Sequence, residues 1–173
     1  MEFEQLMQRM SSPCRELFEQ GVATASSRSH HALQVEHWLH EAVRQQDPEI
    51  DAVLAQFDLE RARLLGDLED ALEALDTGHA GFPRISTEVA RLLFEAWMIA
   101  SSQFEQLAIR PVHLLLALTE NDVLRPRVAG LSPELNRLSG TALREQCQGL
   151  LAGTAKPDAA SGNAAAESRN QAL

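Results

Sequence analysis

The stretch L-Q-V-E-H-W-L-H-E-A at residues 33–42 decides the fold, because it has an echo, I-R-P-V-H-L-L-L-A-L, at residues 109–118. In each stretch a short extended approach leads to a histidine and then to an apolar run typical of a buried helix. A shift of about 76 positions superimposes His37 on His113. The same shift matches four further residues of each copy: Arg15, Leu17, Phe18 and Glu19 with Arg91, Leu93, Phe94 and Glu95. A register kept over so many positions predicts two copies of one unit.

Composition limits what these units are. On folding, a chain of 173 residues buries about 70% of the surface that the unfolded chain exposes, so its core does not require disulfides or a bound metal. Cys14 and Cys147 lie far apart without a C-x-x-C motif, which favours a reducing compartment. No apolar run approaches the roughly 20 residues of a membrane span, and the acidic N-terminus does not resemble a signal peptide, so we expect a soluble cytoplasmic protein. The net charge of -10, with Lys156 as the only lysine, disfavours nucleic acid and anionic membranes as partners.

The apolar spacing is helical throughout, and no segment alternates with the period of a strand. We therefore predict an all-α fold in which two four-helix units are related by a pseudo-twofold, with one extra helix in front. The expected domain spans residues 1–152, with repeat one at about 13–75, a linker at 76–85 and repeat two at about 86–152. Residues 153–173 have the alanine, glycine and serine composition of a flexible linker.

Capping residues and prolines predict where the helices begin. The predicted starts are Ser11-Ser12-Pro13, His37, Asp47-Pro48, Asp58, Ser86, Pro111 and Ser132-Pro133-Glu134. The helix that starts at His37 is expected to end at Gln45, and the helix capped by Asp58 is expected to continue through Leu75. The proline-interrupted segment 123–128 is expected to form no proper helix, and the last helix is expected to run from Ser132 to about Leu151.

The extra helix carries an apolar stripe that has no counterpart before the second copy. Its residues, at positions i, i+3, i+4 and i+7, are Phe3, Leu6, Met7 and Met10. We expect this stripe to form one wall of a groove that binds a partner helix, with Leu17 and Phe18 on the facing wall. The alternative is a stripe that only covers the core of the bundle.

Four motifs carry a family resemblance. The H-L-L-L-A-L run at residues 113–118, within a duplicated helical unit, resembles the Clp N-terminal domain of ClpA, ClpB and ClpC ATPases. V-E-H-W-L-H at 35–40, G-F-P-R-I-S at 81–86 and E-A-W-M-I-A-S at 95–101 are similar to the ClpV (TssH) branch of that family. The resemblance covers about residues 12–151, and the ClpV branch also implies an extra helix ahead of the duplicated unit.

This resemblance implies a function. Members of the ClpV branch are AAA+ ATPases that recycle contracted type VI secretion sheaths. Their N-domain binds an N-terminal helix of a sheath subunit (TssC/VipB-like). The resemblance further implies a homo-hexameric parent, a monomeric isolated domain, and a tail at 153–173 that leads to ATPase modules. The alternative is a generic N-domain of the ClpA or ClpB kind that docks adaptors or unfolded substrates.

Other chemistry has little support in the sequence. No G-x-x-x-x-G-K-[ST] loop is present, so this chain is expected neither to bind nor to hydrolyse ATP. His37 and His40 share a helix face as metal ligands can, but no acidic or cysteine ligand lies at a recognisable spacing beside them. Cys14 and Cys147 fall on apolar helical positions, where buried inert thiols are common. We therefore expect no catalytic residue, no metal and no cofactor.

Overall fold

The computed structural model describes residues 1–153, whose regular secondary structure is helical apart from two short strands. The helices are α1 Phe3–Gln8, α2 Ser12–Ser27, α3 Val35–Arg44, α4 Pro48–Gln56, α5 Arg61–Glu73, α6 Thr87–Met98, α7 Pro111–Glu120, α8 Leu124–Ala129 and α9 Gly140–Gly153. The strands are β1 Ala32–Leu33 and β2 Arg84–Ile85. This architecture confirms the prediction of an all-α fold. The flexible linker predicted for the tail lies, beyond Gly153, outside the described residues.

Two short parallel pairings join the two copies. Leu33 of β1 pairs with Ile85 of β2, which directly precedes the second copy. Met10, which directly precedes the first copy, forms the equivalent parallel bridge with Ile109. Because Leu33 and Ile109 are equivalent in the repeat, each copy contributes the same position to one pairing, as a pseudo-twofold requires. Strands of two residues are too short to show alternation, which explains why the sequence predicted helices only.

The histidines of the repeat accept backbone hydrogen bonds at the starts of equivalent helices. The backbone N–H of Gln34 donates to His37 Nδ1 at 2.8 Å, and that of Arg110 donates to His113 Nδ1 at 3.0 Å. Each histidine is the third residue of its helix and is buried. The prediction that a helix begins at His37 and ends at Gln45 was therefore wrong by two residues at the start and one at the end, since α3 begins at Val35. The imidazole acts where a capping box uses a carboxylate or an amide.

Three predicted helix starts are confirmed by their caps. Ser11 Oγ accepts from the Cys14 N–H at 3.3 Å, and Ser86 Oγ accepts from the Val89 N–H at 3.1 Å. The Asp47 carboxylate accepts from two N–H groups of the first turn of α4. These side chains satisfy donors that have no partner inside the helix.

Asp58 does not cap a helix, contrary to the prediction. Its φ of 55° lies in the left-handed region, just beyond the end of α4. A residue in this conformation ends a helix instead of starting one. The next helix, α5, begins at Arg61 after Glu60 and ends at Glu73, two residues before the predicted Leu75.

The second copy has two further departures from the prediction. Residues Leu124–Ala129 do form a helix, α8, because Pro126 lies in its first turn, where no backbone N–H is needed. The Asn121 side chain accepts from the backbone N–H of Leu124 and so assists this start. The predicted last helix is split into a 3₁₀ helix at Pro133–Arg137 and α9, which begins at Gly140.

One apolar core runs through both copies. Its largest buried side chains include Trp38, Phe18 and Met10, and the rings of Phe18 and Trp38 lie 6.2 Å apart. Trp97 is only partly buried, and the Arg9 guanidinium lies 5.0 Å from its ring centre. Within residues 1–153 no helix has the length and apolar character needed to cross a bilayer.

Candidate functional site

An apolar cleft lies between α1 and α2. Its volume is about 190 Å³, below the 300–1,000 Å³ or so of typical small-molecule sites. The size therefore suits one or two anchoring side chains better than a cofactor. The cleft is lined by Phe3 and Met7 of α1, by Phe18, Glu19 and Val22 of α2, by Leu33 of β1 and by Ile85 of β2.

The short helix α1 is held in place from several sides. Leu6 is buried in the core, and Met10 just after the helix is fixed by its bridge to Ile109. The Arg15 guanidinium donates to the Met7 carbonyl at 3.4 Å. Six residues are too few for an independently stable helix, so these contacts hold α1 in position. Phe3 and Met7 remain partly exposed, which makes one wall of the cleft available to a ligand.

Three of the six side chains predicted for the site line the cleft, namely Phe3, Met7 and Phe18. The other three, Leu6, Met10 and Leu17, are buried in the core. They support the walls from behind. Direct contact of any of the six with a ligand stays a prediction.

The sequence reasoning missed four lining residues. Val22 lies one turn after Phe18 on the same helix, so helical spacing could have found it. Glu19 was noted only as part of the repeat. Leu33 and Ile85 enter the cleft because the parallel pairing places them side by side. No pattern in the presumed linker 76–85 indicated such a pairing.

Three histidines of the first copy take part in two separate hydrogen-bonded pairs. His30 Nδ1 lies 2.8 Å from His37 Nε2, and His40 Nε2 lies 3.0 Å from the Glu69 carboxylate, which also pairs with Arg28. Burial lowers the pKa of His37 to about 4 and also lowers the pKa of His40. Both ring nitrogens of His37 have partners, so its role here is structural. Among residues 1–153 no three histidine, cysteine or acidic side chains converge as metal ligands would.

The two cysteines are buried thiols. Burial raises the pKa of Cys147 to about 12 and raises that of Cys14 well above its usual value. Both side chains are therefore protonated at neutral pH, and a nucleophilic role would require the thiolate.

Comparison with known families matches residues 9–127 to the Clp repeat (R) N-terminal domain. The matched segment contains both histidine helices and both pairings that join the copies. The chain belongs to the Clp N-terminal domain family. The resemblance inferred from the four sequence motifs is thereby confirmed.

Individual relatives point to the ClpV branch of this family. The AAA+ ATPase ClpV1 of Pseudomonas aeruginosa is 25% identical over 141 residues, which cover 82% of this chain and 16% of that ATPase. This chain therefore spans about one sixth of the length of that curated relative. The solved N-terminal domain of ClpV1 from the Sci1 type VI secretion system of E. coli EAEC is 30% identical. It has a TM-score of 0.74 and covers 83% of this chain and 86% of that one.

A second solved structure shows the same fold. It is a complex of a ClpV N-domain with a VipB peptide, with 23% identity, a TM-score of 0.65, and coverage of 79% of this chain and 85% of that one. The all-α architecture described above is thus that of ClpV N-domains.

Proposed function

We propose that this chain is the substrate-recognition domain of a type VI secretion AAA+ unfoldase. In this proposal it binds an N-terminal helix of a contracted sheath subunit (TssC/VipB-like), so that the sheath is disassembled and recycled. The observation that supports it is the apolar cleft between α1 and α2 in a member of the Clp N-domain family. The similarity to ClpV N-domains, one of which was solved with a VipB peptide, gives the class of ligand.

The geometry of the cleft suits an amphipathic helix. Phe3 and Met7 are one turn apart on α1, and Phe18 and Val22 are one turn apart on α2. Two such pairs form facing rows against which apolar side chains of a ligand helix can pack. The flexible thioether of Met7 adapts its shape to the ligand.

A small cleft predicts weak single-site binding, of micromolar order or about -8 kcal/mol. In a hexameric parent, six such sites facing a repetitive sheath raise the overall avidity, with effective concentrations on the order of millimolar. Weak individual sites let an engaged subunit leave the cleft for the unfolding pore.

We propose the following organisation for the parent protein. The recognition domain spans residues 1–152, with repeats at about 13–75 and 86–152, and residues 153–173 lead to ATPase modules. The parent acts in the cytoplasm as a homo-hexamer, and the isolated domain is a monomer without catalytic activity of its own.

A binding assay with two matched variants tests the cleft. Fluorescence anisotropy of a labelled sheath-subunit N-terminal peptide is measured against the wild type, Met7→Asp and Leu107→Asp. Leu107 is 67% exposed and lies outside the cleft, so its variant controls for a new surface carboxylate. Met7→Asp is expected to weaken binding at least about tenfold, and Leu107→Asp to leave it within about twofold. Equal affinity of the wild type and Met7→Asp would remove the cleft from the site.

A pull-down separates this function from the ClpA/ClpB-like alternative. The proposal predicts selective capture of contracted sheath over denatured model proteins. Capture of denatured proteins without preference would favour a general substrate-docking domain.

A further inference from the structure

Glu19 is the one charged residue among the side chains that line the cleft in the described part of the chain. On α2 it directly follows Phe18 and precedes Val22 by about one turn. Its side chain is exposed, and within residues 1–153 it forms no hydrogen bond or ion pair. The fold therefore gains no internal contact from this carboxylate.

The cation nearest to Glu19 in sequence does not neutralise it. Arg15 is one turn earlier on α2, but its guanidinium donates to the Met7 carbonyl at the end of α1. Arg15 and Glu19 do not form an ion pair. The net charge of the chain, -10, favours cationic ligands in general.

A ligand helix in the cleft changes the surroundings of this carboxylate. Packing against Phe18 and Val22 removes water from the rim, and a carboxylate that loses water without gaining a partner costs free energy. A lysine or arginine on the ligand offsets that cost, because its apolar stem packs along the wall while its charged end reaches the carboxylate. An acidic residue at the same place is repelled.

We infer that Glu19 is the specificity-determining residue of the cleft, and that the ligand is an amphipathic helix with a lysine or arginine within one turn of its apolar anchor. This inference rests on the proposed function. It adds a charge requirement to a site whose other lining side chains are apolar.

A charge-reversal scan tests this inference. The probe is a synthetic peptide of a type VI sheath-subunit N-terminal helix, in which each position outside the apolar stripe is replaced in turn by lysine or by glutamate. Binding is measured by anisotropy with the wild-type chain, with Glu19→Lys and with Glu19→Gln. The matched control is Glu16→Lys, because Glu16 is exposed on the same helix but does not line the cleft.

One peptide position is expected to show a charge preference that depends on Glu19. At that position lysine should bind the wild type about three- to tenfold more tightly than glutamate. Glu19→Lys should invert the preference, Glu19→Gln should abolish it, and Glu16→Lys should leave it unchanged. The wild-type preference should shrink between about 50 mM and about 300 mM salt, because an ion pair at a rim is screened.

The failures of the two proposals are distinguishable. If the parent peptide binds the wild type but no position changes its preference in Glu19→Lys, the charge requirement is wrong and the recognition function stands. If Glu16→Lys inverts the preference as strongly as Glu19→Lys, the effect belongs to the overall field and not to Glu19. If the parent peptide does not bind the wild type at either salt concentration, both proposals are overturned.

Discussion

Each copy of the helical unit contains one buried histidine whose ring nitrogen accepts a hydrogen bond from the residue before the helix. The equivalent residues are His37 in α3 and His113 in α7. The interaction needs a neutral imidazole, because a protonated ring has no acceptor nitrogen. Burial lowers the pKa of His37 to about 4 and that of His113 to about 3, so both rings are neutral at physiological pH.

This arrangement predicts a loss of stability in mild acid. The unfolded chain takes up a proton at each histidine near pH 6.5, whereas the folded chain takes it up only near the lowered pKa values. The stabilisation is therefore fully present above about pH 6.5 and is lost as pH falls towards those values. At about pH 5 the loss is on the order of 2 kcal/mol for each histidine. Urea unfolding at about pH 6.5 and at about pH 5 measures this loss of stability.

His113→Asn isolates the contribution of one ring. The asparagine oxygen can accept from the Arg110 N–H but does not titrate, so the variant is less stable at neutral pH and loses less stability on acidification. An identical pH dependence in the variant and the wild type would show that His113 is not responsible.

The site residues show what helical spacing can and cannot predict. Spacing identified Phe3 and Met7 as part of an apolar face, and both line the cleft. It could not separate them from Leu6, which belongs to the same stripe but is buried. How deeply each side chain of the stripe is buried depends on which elements pack against the helix. Ile85 was missed for the same reason, since its place in the cleft depends on pairing with Leu33 from the other copy.

One arginine of α8 forms ion pairs with a helix of each copy. The Arg127 guanidinium lies 2.7 Å from the Glu36 carboxylate of α3 and 2.9 Å from the Glu88 carboxylate of α6. The Glu36 side chain is only 3% exposed. In this buried position the guanidinium takes the place of the water that would otherwise solvate the carboxylate.

Replacing this arginine is therefore expected to be costly. Arg127→Met should lower the free energy of unfolding by about 3 kcal/mol, because it leaves the Glu36 charge buried and unpaired. Adding Glu36→Gln should recover part of the loss. Arg125→Met is the control, since Arg125 is exposed on the same helix and forms no side-chain hydrogen bond or ion pair within residues 1–153, and it should change stability by less than about 1 kcal/mol. Urea unfolding of the four proteins measures these values, and equal losses in Arg127→Met and Arg125→Met would contradict the prediction.

Helix α1 is expected to be dispensable for the bundle but necessary for binding. Deleting residues 1–8 removes one fully buried side chain, Leu6, and leaves the Met10 bridge in the chain. Circular dichroism should show a folded helical protein, while the exposed cleft wall should increase binding of the dye ANS. Anisotropy should show no binding of the sheath peptide. Unchanged peptide affinity would mean that the ligand binds elsewhere.

At the level of elements, helix starts were easier to predict than helix ends. Ser11, Asp47 and Ser86 act locally, through hydrogen bonds to N–H groups two or three residues away, so the sequence alone indicates them. The end of α4 depends on Asp58 adopting a left-handed conformation, which its neighbours in sequence do not dictate. The split before Gly140 likewise had no strong local signal.

The whole molecule is a duplicated bundle in which α1 makes the two copies different. The residues equivalent to Phe18 and Val22 are Phe94 and Met98 in α6, and their exposures are 41% and 44%. In the first copy Phe3 and Met7 from α1 complete the cleft beside Phe18. The internal repeat predicted the symmetry, and the unmatched stripe predicted the feature that breaks it.

An NMR titration shows directly whether a sheath-subunit helix binds in this cleft. The ¹⁵N-labelled full chain is titrated with a synthetic sheath-subunit N-terminal peptide, and amide shifts are followed to saturation. We expect shifts concentrated at the residues that line the cleft, including Met7, Val22 and Ile85, with Phe94 and Met98 unaffected. Saturable shifts concentrated around Phe94 and Met98, or no shifts at all, would contradict this expectation.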